Sequence, residues 1–178
     1  MKEDAGICVS YKLTHILSSV LPSIFTFAQV GVDELLYWSE LGFNLANKHG
    51  RVDDKAMFSM AVGVPLAIIM PNRALPFLLH SYDYFMNNEE ASKEAGVEGG
   101  LYLRYYLYVA YNSLGDLDKT LHYLKDGVQF ADNKSSELPI ANFMRGDFAF
   151  FDDRKTDSKN YYNKVIESVD LNILANTN

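Results

Sequence analysis

His80 and Asp83 stand three residues apart, a spacing that puts an imidazole and a carboxylate on one face of a helix. Such a pair could hold a metal or relay a proton, but either task needs further groups converging on it. The remaining histidines, His15, His49 and His122, are scattered, and none has a partner at convincing metal-ligand spacing. Cys8 is the only cysteine, so neither an intramolecular disulfide nor a thiolate metal cluster can form, and Cys8 reads as a small apolar residue. Asp152 and Asp153 precede Arg154 and Lys155, the pattern of a solvated turn, and Glu89 and Glu90 read as loop surface. Gly96, Gly99 and Gly100 lack both the Lys-Ser/Thr and the preceding strand of a phosphate loop. The expectation is therefore no catalytic set, no metal and no cofactor.

A denser signal is aromatic. Tyr102, Tyr105, Tyr106, Tyr108 and Tyr111 crowd one stretch, LYLRYYLYVAY. On a helix adjacent positions lie about 100° apart, so these rings cannot all face one core. Some are available for contact with something else, or for packing against a neighbouring hairpin.

The elements that must position these rings are helical. Val32 to Lys48 repeats apolar residues at spacings of three and four, and Gly50 is placed to end that helix. Asp53-Asp54 can cap the next helix, which runs towards Pro65. Met70-Pro71-Asn72 reads as a break, and a helix from Arg73 to Phe85 would carry Pro76 in its first turn. Residues 87–100 (NNEEASKEAGVEGG) form the clearest internal loop. Leu114 to Phe130 begins with a Gly115-Asp116 turn and continues with Leu117, Leu121, Leu124 and Val128 on one stripe. The spacing predicts eight helices in four hairpins: 10–29 with 33–48, 53–69 with 71–87, 98–114 with 116–131, and 138–151 with 156–169. Residues 172–178 read as a frayed tail. Short links inside the hairpins make neighbours antiparallel.

Composition narrows the task. With 48% hydrophobic residues in 178, the chain can bury a core as a single domain over 1–178. The formal net charge is -7, with 6 basic and 9 acidic residues through Glu89 and 10 and 14 beyond it. Neither half has the clustered cations that phosphate binding requires, so direct nucleic-acid binding is not expected. Residues 13–32 contain no charge, but His15, Ser18, Ser19, Pro22, Ser23, Thr26 and Gln29 leave them only moderately apolar. They read as a buried helix bent at Pro22 rather than a membrane span, and the single cysteine fits a cytoplasmic setting.

The hairpin of residues 101–131 resembles a tetratricopeptide (TPR) repeat in Leu107, Tyr111, the turn glycine Gly115 and the segment LHYLKDGV with Gly127 at a small-residue position. It departs from that family at Tyr108, Thr120 and Asp132, where a small residue, Ala and Pro are usual. A second unit is similar in Gly146, Tyr162, Val165 and Ile166, with Asp153 standing where the turn glycine normally sits. The echo Trp38-x-x-Leu41-Gly42-x-x-Leu45 falls in what the hairpin count makes a second helix, although the motif belongs to a first. The best-matching span is 101–169.

The resemblance implies an all-α fold of about seven to eight helices, stacked as antiparallel hairpins in a TPR-like right-handed superhelix. By that alignment the inner groove takes Tyr102, Tyr105, Val109 and Asn112 from one unit, and Ile140, Phe143, Asp147 and Phe150 from the next. An aromatic groove suits an apolar peptide or a partner helix, so the expected function is a non-enzymatic adaptor, chaperone or regulatory subunit that binds another polypeptide. The Lys and Asn with which some members grip a C-terminal carboxylate are replaced here by Tyr105 and Val109. A homodimer is compatible with this reading. Two alternatives stay open: a ligand-sensing domain of a transcriptional regulator, and an all-α enzyme with a dispersed site.

Overall fold

A computed structural model describes residues 32–48 and 52–175. Every element among them is an α-helix: α1 (Val32–Lys48), α2 (Val52–Ile69), α3 (Pro71–Asn87), α4 (Glu89–Ser113), α5 (Leu117–Asn133), α6 (Pro139–Phe151) and α7 (Lys155–Ala175). The fold is all-α, with seven helices among the described residues. The expected helix at 10–29, the apolar segment 13–32 except Val32, Cys8, His15, His49 and the stop at Gly50 lie outside them. The chain divides into two compact units between Ala91 and Ser92, where the sequence suggested one domain.

In the first unit, small residues set the approach of the helices. A methyl on Gly42 would collide with the Phe58 ring, which is fully buried and packs with Ala46 and Phe43. One on Gly63 would lie 2.7 Å from Leu78 Cγ and 3.2 Å from the Leu78 backbone nitrogen, so α2 and α3 touch almost at main-chain level. Ser81 Oγ donates to the Ala56 carbonyl at 2.7 Å across the same pair. Asp33 and Glu34 open α1 and Lys48 closes it, matching the helix dipole. Pro65 lies inside α2, and α3 starts at Pro71, so Pro76 falls inside that helix rather than in its first turn.

Residues 87–100 are not a loop. The Asn88 side chain accepts from the Ala91 backbone N–H at 3.1 Å, and Glu89 and Glu90 occupy the first turn of α4. This is a standard helix start, which outweighs the local glycine content. The glycines act at one point only: Gly96 adopts φ 68°, ψ -176°, breaking α4 into two helical segments.

The second unit is built from the rest of α4 with α5, α6 and α7. Leu101, Leu103, Leu107, Leu124 and Met144 are fully buried. A methyl on Gly127 would strike Met144 Cε and come within 3.4 Å of Arg104 Cβ, so this position holds three helices together. Three helix ends close with an N–H bonding five residues back: Asp116 to Tyr111, Ser136 to Ala131 and Arg154 to Ala149. The left-handed residue each turn requires is Gly115 (φ 74°), Ser135 (φ 49°) and Asp153 (φ 54°). Asp153 thus takes the same left-handed conformation as Gly115. Helix α7 continues to Ala175, beyond the expected end at 169, so residues 172–175 are helical rather than frayed.

Candidate functional site

The link between α5 and α6 is fastened by a buried arginine. Arg145 donates from Nε to Asp132 Oδ1 at 2.9 Å and from Nη1 to the Ser136 carbonyl at 2.8 Å and Asn142 Oδ1 at 3.1 Å. Its Nη2 also lies 2.8 Å from Asp132 Oδ1. Asp132 therefore anchors the guanidinium. Thr120 is buried and donates from Oγ1 to the Asp116 carbonyl at 2.7 Å. The Arg145 contacts tie α6 to the end of α5 and the link between them.

Rings of α4 and α6 meet. Tyr102 and Tyr106 stack at 6.3 Å between centroids, Tyr106 meets Tyr105 edge-on at 5.2 Å, and Tyr105 meets Phe143 edge-on at 5.8 Å. Phe143 continues to Tyr162 of α7, also at 5.8 Å. The series runs from α4 across α6 to α7, and Tyr102, Tyr105, Tyr106, Phe143 and Tyr162 are each half-buried.

At its centre is Asp147. Tyr108 Oη donates to Oδ2 at 2.9 Å, and Tyr162 Oη donates to Oδ1 at 2.5 Å. Gly146 makes the second bond possible, because a methyl there would lie 2.6 Å from Tyr162 Cε1 and push the ring away. Burial, followed by the Asp147 charge and hydrogen bond, raises the Tyr108 hydroxyl well above the ordinary tyrosine range. Burial and the bond to Asp147 push Tyr162 up to about 12. Tyr105 is raised by burial and then by Asp147, while Tyr102 is raised by burial and then by the charge and hydrogen bond of Glu98.

Five of the eight residues named from sequence border this site: Tyr102, Tyr105, Val109, Phe143 and Asp147. Val109 is half-buried and packs with Tyr105 against Tyr108, Leu124 and Met144. Ile140 belongs instead to the cluster of Leu101, Ala131 and Ala141. Asn112 is exposed near the end of α4, and Phe150 is 62% exposed with its ring against Phe151. Sequence reasoning did not place Tyr106, Tyr108 and Tyr162 here. The spacing 102, 105, 106 contained the first. Tyr108 was hidden by the expectation of a small residue, and Tyr162 lies on another helix. Of the second-helix matches, Val165 is half-buried while Ile166 is 59% exposed.

His80, in the first unit, is half-buried and its Nε2 has no hydrogen-bond partner. Burial, aided by Lys55 and opposed by Asp83, lowers its pKa and favours the neutral ring. Among the described residues no three His, Cys, Asp or Glu side chains gather in a way that could hold a metal, and no helix is long and apolar enough to cross a membrane. An opening of about 440 Å³ is lined by Val97, Lys134, Ser136, Glu137, Leu138 and Pro139. Comparisons with models of protein families, with curated proteins and with solved structures find no match.

Proposed function

We propose that the chain is a non-enzymatic module that binds another polypeptide, and that its hairpins stack in a TPR-like superhelix with the α4–α6 aromatic face as the contact surface. The carrying observation is the half-exposed ring series Tyr102–Tyr106–Tyr105–Phe143, which spans two helices. Tyrosine and phenylalanine offer large, rigid contact area at little entropic cost, the property that makes such rings binding hot spots. An adaptor, a small chaperone or a regulatory subunit in the cytoplasm fits this chemistry, and a homodimer using the same face is compatible with it.

Affinity capture from native lysate, with wild type and Tyr105→Ala side by side, tests the reading. Tyr105 is half-buried, so truncation costs roughly 1–3 kcal/mol, less than for a fully buried aromatic. The expected result is a folded variant that loses the captured polypeptide. Retention of that polypeptide with a lower melting temperature assigns Tyr105 to packing alone and refutes the proposal.

A further inference from the structure

The α4 and α6 parts of the aromatic face carry few charges. Between residues 97 and 113 the only charged residues of α4 are Glu98 and Arg104, and α6 has only Arg145 and Asp147. Both arginines are buried: Arg104 Nε lies 2.8 Å from Asp126, and Arg145 is bound to Asp132. What remains for a visitor is a carboxylate beside Tyr102 and another beside Tyr105 and Tyr108. Among the described residues no cation lies within 4 Å of either one; the groups that bond Asp147 are the neutral hydroxyls of Tyr108 and Tyr162, and Glu98 stands one turn before Tyr102 on α4.

The same unit shows what its rings accept. Arg104 lies over Phe130 at 4.1 Å, Lys119 over Tyr111 at 4.9 Å and Lys164 over Tyr161 at 5.7 Å. Elsewhere in this unit, then, the chain itself supplies a cation to an aromatic face. Across the Tyr102–Tyr106–Tyr105–Phe143 series it supplies carboxylates instead, which strengthen the attraction of the rings for an external cation.

Resting on the polypeptide-binding reading above, we infer that the preferred partner is an arginine-bearing peptide segment, its guanidinium groups lying on Tyr102, Tyr105 and Tyr106 and its charge answered by Glu98 and Asp147. Arginine suits this face better than lysine because a planar guanidinium stacks on a ring while still donating to a carboxylate. Acidic and purely apolar segments are disfavoured, the first by repulsion and the second because they remove water from both carboxylates without supplying a counter-charge.

The test is selection of phage-displayed random peptides on the full chain, followed by calorimetric titration. The titration uses a pentapeptide of alternating glycine and arginine and its citrulline counterpart, in which a neutral urea replaces each guanidinium. Enrichment of arginine, with at least tenfold weaker binding of the citrulline peptide to wild type, supports the inference. Asp147→Asn and Glu98→Gln should each weaken the arginine peptide severalfold, whereas Asp153→Asn, at an exposed acid paired with Lys155, should not. Enriched peptides without arginine or lysine, or equal binding of the two pentapeptides, overturn it while leaving a peptide-binding module standing. An equal loss with Asp153→Asn reduces the effect to general acidity and also overturns it. No enrichment at all overturns both readings.

Discussion

Replacing Asp147 with asparagine keeps the shape of the side chain and removes its charge. Two hydroxyls now donate to that carboxylate, at 2.9 Å from Tyr108 and 2.5 Å from Tyr162. An amide oxygen can serve one of them, and the other must turn to accept from the amide nitrogen. A hydrogen bond to a charged group is worth about 1 kcal/mol more than a neutral one, and two are affected on a half-buried residue, giving a loss of about 1–2 kcal/mol. In a unit of this size that corresponds to a fall of roughly 5–10 °C in melting temperature. Tyr108→Phe and Tyr162→Phe, alone and combined with Asp147→Asn, separate the two bonds, and each double-mutant cycle should return a coupling of about 0.5 kcal/mol or more. Alkaline pH supplies an independent readout. The Tyr162 hydroxyl is pushed from 10.0 to about 12, so the folded state holds this proton longer than the unfolded chain does. Its contribution is complete below pH 10 and disappears as pH rises through about 12. Tyr108 is raised in the same direction and acts in the same sense. Asp147→Asn should make the decline shallower, as followed by phenolate absorbance and by urea melts at each pH. A variant as stable as wild type, with zero coupling and an unchanged alkaline profile, would refute the claim that Asp147 organises these tyrosines.

Gly127→Leu should destabilise the second unit by about 3 kcal/mol, because Met144 Cε and Arg104 Cβ already occupy the space, and an unchanged melting temperature would contradict the packing. Gly96→Ala meets open space but must adopt φ 68°, ψ -176°; it should cost about 1–3 kcal/mol, or straighten α4 and raise the helical circular dichroism signal. Asp153→Gly relieves a left-handed aspartate and should stabilise by up to about 1 kcal/mol, because the exposed ion pair with Lys155 contributes little. Chemical denaturation of each variant measures these changes.

Helical periodicity located most elements because their apolar stripes are local. The expected 33–48, 53–69, 71–87 and 138–151 lie within about one residue of α1, α2, α3 and α6. The start of α4 was misread because three glycines in NNEEASKEAGVEGG outweighed the Asn88 cap and the acidic first turn, although only Gly96 departs from helical geometry. The repeat resemblance names Asp147 as a groove position, but the sequence does not name its partners. Tyr108 lies 39 residues away in sequence and Tyr162 lies 15, and no local pattern reports a bond between helices. Tyr108 also stood where a small residue was expected. Its large side chain is accommodated because the residue is buried and its hydroxyl reaches a carboxylate.

The guanidinium that ties Asp132, Ser136 and Asn142 together bears on how this chain can be engineered. The link between α5 and α6 is the longest in the second unit, which would ordinarily make it the natural place to splice in a tag or a fluorophore. Here an insertion would pull apart a knot that determines where α6 begins. The shorter bends around Gly115 and Asp153 are held by exposed contacts only, Asp116 with Lys119 at the first and Arg154 with Asp152 and Asp157 at the second, so they are the better splice sites despite their length.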